Sequence, residues 1–175
     1  KTGQASQRQA QQTTQTQTVQ STSTKPVICD LEQGWTTSHL DLVALSLLNK
    51  LVYGANRAAA TEGGSTGHHG TAVLGQVAAP GNNPFGIRGA ATDLAQFLVA
   101  SHYRSKTEKD TDGITPHPFA GTNGHVAAAI TQTLSVLPVP PANDGHILLL
   151  EVQRGLLPTE VDEADFDAIR LASGL

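Results

Sequence analysis

The first 26 residues, Lys1 to Pro26, are a tract of Gln, Thr and Ser whose single sizeable aliphatic side chain is Val19. Such a tract buries too little apolar surface to offset the entropy of ordering, so it cannot contribute to a hydrophobic core. The fold must come from the roughly 150 residues that follow, still enough for one domain with a real core. The tract carries Lys1, Arg8 and Lys25 and no acid. It reads as an extended arm, residues 1–26, that orders only against a partner, and a neighbouring chain is the obvious one.

Few aromatic anchors are available to the remainder. Aromatic residues make up 4% of the 175-residue chain and hydrophobic residues 38%, so Ala, Val, Leu and Ile must fill the interior. Charged residues are 15%, below the roughly 25% of a typical soluble domain. With a net charge of -4 overall and +3 in the arm, the body carries -7. A broad phosphate-gripping face is excluded on that balance. Cys29 is the single cysteine, which rules out an internal disulfide and a cysteine-based zinc site. Methionine is absent, which points to a processed product or an excerpt of a longer polypeptide. The apolar stretch Leu40–Tyr53 is broken by Asp41, Asn49 and Lys50, so no membrane span is expected.

Along the body, Val27 to Leu31 is a short apolar run of strand type. Leucines and valines recurring at three and four predict a helix over 39–58, with Ser38 and Asp41 at capping-box spacing. Residues 61–90 are rich in Gly and Pro and read as a long loop with one strand over Thr71–Ala78. A helix is expected over Ala90–Tyr103 and another from Thr122 or Asn123 to Leu137, closed by Pro138. Residues 105–118 read as a charged, turn-forming link. His146–Val152 is a continuous apolar run, expected as a buried strand. Thr159 is expected to cap a last helix whose first turns carry Glu160, Asp162, Glu163 and Asp165. Its apolar side would be Val161, Phe166, Ile169 and Leu171. The fold class expected is mainly α with a few short strands, α+β, as one plate-like helical domain over 27–175.

The chemistry-bearing candidates are few. Seven histidines invite a metal or catalytic site, with His68, His69, His117 and His125 in Gly- or Pro-rich segments. No HExxH and no paired cysteines accompany them, so turn- and helix-capping histidines are the plainer expectation. Ser65 and Ser101 lack the GxSxG elbow, and Cys29 lies in an apolar run where a thiol is inert. The glycine-rich segment 63–67 lacks the Lys of a phosphate-binding loop. The acids of 160–167 lack the central Gly of a calcium loop. No catalytic, cofactor or metal residue is therefore assigned. The segment Asn82–Gly89 joins a turn, an aromatic and a lone cation, which makes Phe85 an anchor and Arg88 a polar contact of an interaction loop.

Leu40–Asn56, the Asn82–Gly89 segment, the stretch ending Ala100–Ser105 and Gly121–Val126 together resemble, in texture, coat proteins of totivirus-like fungal double-stranded RNA viruses. That resemblance implies a largely helical coat subunit in a virion in the host cytoplasm. Its arm (Lys1, Arg8, Lys25) and loops would contact other copies of the chain, and the enclosed RNA would be touched only weakly. The expectation is thus a structural assembly protein and not an enzyme. Two rivals stand beside it: an enzyme with a His-lined, metal-dependent site around His68, His69, His117 and His125, and an accessory domain of a larger complex.

Overall fold

The computed structural model describes residues 25–57, 67–82, 86–92, 95–110, 112–138 and 145–174. Lys1, Arg8, all of the arm before Lys25, and Phe85 lie outside the described residues.

The apolar run after the arm is β1, Val27–Glu32, and all six of its residues are buried. A strand covered on both faces belongs at the centre of a parallel sheet. The sheet has four strands, and each pairing in it is parallel: β1 lies between β3, Gln96–Ser101, and β4, Ile147–Leu150, while the short β2, Leu51–Tyr53, borders β3. The register runs from Val27 opposite Gln96 to Glu32 opposite Ser101, and from Ile28 opposite Ile147 to Leu31 opposite Leu150.

Side chains alternate across the strands, so each face has its own core. Ile28, Phe97 and Val99 pack with Trp35, Leu42, Leu47, Leu74 and Ala78 on the face covered by α1, His68–Ala78. Cys29, Leu31 and Ala100 pack on the opposite face with α2, Val126–Val136, and α3, Glu163–Ser173. The architecture is three-layered α/β. A two-residue turn joins β5, Gln153–Arg154, to β6, Leu157–Pro158, in a small antiparallel hairpin before α3.

This corrects the mainly helical expectation. Three elements changed type. The helix over 39–58 is replaced by two short 3-10 turns, Val43–Leu45 and Leu47–Lys50, and then β2. The break falls at Ser46, whose φ of 51° is left-handed and ends any right-handed helix. The helix over 90–103 is β3, because the run from Phe97 to Ala100 is buried on both faces as a central strand requires. The strand over 71–78 is α1, whose buried side is Gly70, Leu74, Gly75 and Ala78, one helical face of mostly small residues.

Two caps also differ. His125, not Thr122 or Asn123, precedes α2 and makes no side-chain cap bond. Asp162, not Thr159, caps α3, its Oδ1 accepting from the N–H groups of Ala164 and Asp165. Thr159 opens a 3-10 turn instead, and the buried face of α3 is Asp165 and Ala168, with Phe166 and Leu171 exposed. β1 and the body of α2 fall where the sequence predicts them; β4 lies within the predicted run but is an edge strand with Ile147 exposed, not a buried one. No helix among the described residues is long and apolar enough to cross a membrane.

Candidate active site

In open α/β sheets, ligands bind in the crevice outside the carboxyl ends of the strands. Here those ends deliver Glu32 from β1, His102 just past β3, and Leu150 and Glu151 from β4. They line a cleft of about 470 Å³ together with Gln33, His69, Val152 and Gln153.

His69 stands in the first turn of α1, and its Nδ1 lies 2.6 Å from Oε1 of Glu32. The carboxylate is 5% exposed and the imidazole 63% exposed, so a shielded acid holds an open base. An ionised carboxylate can only accept, so Nδ1 carries a proton, and in the neutral ring Nε2 keeps its lone pair. Burial pushes the Glu32 carboxyl above the ordinary glutamate range, and the hydrogen bond and charge of His69 oppose that rise.

Gly70 brings the helix to the strand. A Cβ at this position would come within 2.6 Å of the Gly34 carbonyl oxygen and 3.1 Å of Glu32 Cγ. Only glycine lets the start of α1 sit against the end of β1.

The loop after β1 is pinned from three directions. The Trp35 backbone N–H donates to Asn56 Oδ1 at 2.8 Å, and Asn56 Nδ2 donates back to the Trp35 carbonyl at 2.9 Å. The Trp35 indole N–H donates to Oδ2 of Asp30 at 2.8 Å. Ser101 Oγ donates to the Gln33 carbonyl at 2.8 Å. Asp30 is fully buried on the same strand face as Glu32, and its Oδ1 has no hydrogen-bond partner. Burial raises its pKa to about 7, the indole bond opposing and the charges of Glu32 and Glu151 adding to the rise.

His102 closes the far side. Its backbone N–H donates to the Glu32 carbonyl at 3.0 Å, and its Nδ1 accepts from the Gly124 N–H at 3.1 Å. Arg154 donates to the Gly124 carbonyl at 3.3 Å and to buried Asp165 at 2.8 Å. Asp165 also accepts from the Ala127 N–H at 3.0 Å and Thr159 Oγ1 at 2.6 Å. The C-terminal hairpin and α3 are thereby fastened to the start of α2, directly behind His102.

The histidines singled out in the sequence do not converge. His69 alone of the four reaches the crevice. His68 faces a separate hollow with His39, Asp41 and Ile87. His117 and His125 flank the Phe119 ring at 5.8 Å and 5.4 Å in a surface stack. His146 is structural, accepting from the Val27 N–H at 3.1 Å and meeting the Pro138 carbonyl at 2.7 Å. Arg88 and Lys25 do not line the crevice, and Arg88 packs where a Cβ on Gly81 would fall. Among the described residues, no group of three or more His, Cys, Asp or Glu side chains is placed to hold a metal ion. Cys29 is buried on the opposite sheet face, its thiol pushed up to about 11 by burial, and takes no part in the site.

Glu32, His102 and Glu151 were not picked out in the sequence. The available signal was positional: Glu32 and Glu151 each follow directly on an apolar strand run. Neither a family model nor a curated protein sequence matches this chain.

Proposed function

We propose that the chain is a hydrolytic enzyme, or the part of one that carries its general base, acting on an acyl bond. One observation carries this reading: the 2.6 Å contact between a buried Glu32 and an open His69 at the carboxyl edge of a parallel sheet. The pair is the base-and-orienter half of a nucleophilic triad. Glu32 fixes the tautomer and stabilises the imidazolium that forms, and Nε2 takes the proton of a hydroxyl nucleophile. That proton then passes to the leaving group.

The acid precedes the histidine along the chain, the acid at the carboxyl end of β1 and the histidine in the first turn of α1, both at one edge of an α/β sheet. By analogy, this is the order of the subtilisin-type triad, acid, histidine, serine, where the serine comes later. A serine delivered to Nε2 would make the enzyme a serine hydrolase; a water would make it a direct general-base hydrolase. The assembly reading rests on the arm and on the Asn82–Gly89 loop, of which residues 1–24 and 83–85 lie outside the described residues, and no feature of the crevice adds support to it.

The test is hydrolysis of casein and of a p-nitrophenyl ester by the wild-type chain, His69→Ala and Glu32→Gln. Loss of about 10²–10⁴ in rate is expected for each variant, with unfolding curves unchanged for His69→Ala. Hydrolysis that survives His69→Ala would sink the reading. A fluorophosphonate label separates serine from water.

A further inference from the structure

The crevice holds a second histidine that the base-and-orienter pair does not use. His102 is 5% exposed and lines the cleft beside His69. Its tautomer follows from geometry alone. The Gly124 N–H points at Nδ1, so Nδ1 must be the acceptor, and a proton there would face another donor. The ring is therefore neutral, with its proton on Nε2. Burial and the charges of Arg57, His125 and Arg154 support the neutral state, against the opposing charge of Asp165.

Nε2 has no hydrogen-bond partner among the described residues. It is not sealed off either, since among those residues the buried side-chain polar atom lacking a partner is Asp30 Oδ1. A fixed donor thus opens on the cleft. Its surroundings select what it can meet. Glu32 and Glu151 line the same cleft, and among the described residues no Lys or Arg does. A carboxylate or phosphate would meet two acids and a donor with no charge to offset them. An uncharged carbonyl oxygen would meet a donor held in place at no further ordering.

We infer that His102 is a substrate-binding residue, whose neutral Nε2–H donates to an acyl carbonyl oxygen and holds it beside His69. The choice of a carbonyl ligand rests on the hydrolase reading above. The neighbouring hydrogen bonds explain the precision. His102 N to Glu32 O ties the donor to the strand that carries the acid, and the Gly124–Arg154–Asp165 chain stops the ring from turning.

The test uses the full chain with His69→Ala, so that turnover is absent, labelled with ¹⁵N at its histidines. Acetyl-tetra-alanine amide is the probe. The long-range ¹H–¹⁵N spectrum should show His102 in the Nε2–H form, and that proton should move downfield as peptide is added. His102→Phe should weaken peptide binding about 3- to 10-fold, and His102→Gln, which keeps a donor, should restore most of it. If His102→Phe does not fold, the resonance shift on the unmodified ring decides. The Nδ1–H tautomer, an unmoved resonance at saturating peptide, unaltered binding by a folded His102→Phe, or no peptide binding at all would each overturn the inference. Failure of the hydrolase reading shows separately, as hydrolysis that survives His69→Ala, because peptide binding needs no turnover.

Discussion

The indole of Trp35 donates to Oδ2 of Asp30 at 2.8 Å, and both side chains are shut away from solvent directly behind the Glu32–His69 pair. The bond joins a strand to the loop that leaves it, so it fixes the angle at which Glu32 meets the helix. Trp35→Phe keeps a smaller aromatic ring and removes the donor, leaving both oxygens of Asp30 unpaired among the described residues. We expect a loss of about 1–3 kcal/mol in urea unfolding and a fall in hydrolytic rate with little change in KM.

Asp30 and His102 pull stability in opposite directions over one pH window. Asp30 has a folded pKa of about 7 against an ordinary 3.8, so the folded state holds a proton that the unfolded chain releases. Its contribution is intact below about pH 4 and is lost as pH rises towards 7. His102 has a folded pKa of about 4 against 6.5, so the unfolded chain takes a proton that the folded state refuses. Its contribution is intact above 6.5 and is lost as pH falls towards 4. Asp30 is worth about 4 kcal/mol and His102 about 3 kcal/mol, so they largely offset one another. Asp30 feels Trp35, Glu32, Glu151 and His69; His102 feels Arg57, Asp165, His125 and Arg154. Thermal unfolding from pH 4.5 to 7.5 should show Asp30→Asn gaining stability with pH relative to wild type. His102→Gln should lose it relative to wild type. Parallel profiles for all three would contradict this balance.

Gly70→Ala places a methyl group against the Gly34 carbonyl, whereas Gly113→Ala meets nothing within 4 Å and only strains a backbone at φ +69°. We expect the first to cost about 1–3 kcal/mol and to abolish hydrolysis. The second should cost about 1 kcal/mol and leave the rate unchanged. Equal effects on rate would show that the approach of α1 to β1 does not set the site.

Asp165→Ala removes the shared acceptor of Arg154, Thr159 and the Ala127 N–H. A loss of about 1–3 kcal/mol is expected, because three donors lose a buried acceptor while the part-exposed Arg154 keeps Asp162 at 3.3 Å. Hydrogen exchange should speed up first at Gly124 and in α3.

The Cys29 thiol, pushed up to about 11 and fully buried, should resist a disulfide reagent at pH 8 until the protein is unfolded in urea. Prompt labelling of the native chain would show that the α2 side of the sheet opens.

Sequence patterns placed β1 and the edge strand β4 but missed the interior strand β3 and the short edge strand β2. Val27–Leu31, apolar but for Asp30, and the run Ile147–Leu150 before Glu151 are dense enough in aliphatic side chains over a short length to read as strands. Phe97–Ala100 has the same character, but Leu94, Phe97 and Leu98 also fall at helical spacing, and the two periods cannot be told apart over so short a run. In α1 the β-branched Thr71, Val73 and Val77 favour a strand locally. The close fit of Gly70 against Glu32 and the loop after it, with Leu74 and Ala78 packed on the sheet, decides for a helix, and that is a tertiary effect. Reading that segment as a strand in a loop left His69 as one loop histidine among four candidates, since the residue is singled out only by standing at a helix start opposite Glu32. His102 was invisible for a related reason. Its role depends on a glycine N–H 22 residues away, a partner that spacing along the chain does not disclose.

β1 forms near the beginning of the chain, yet its two neighbours arrive at 96–101 and 147–150. Pairing over such separations is slow to nucleate, because loop closure must precede any gain from the ladder. Glu32, His102 and Glu151 come from three strands that meet only when β4 has docked. A chain still emerging from synthesis, or one halted before that step, has no crevice to act through. The same long-range pairing that builds the site also keeps it silent until folding is complete.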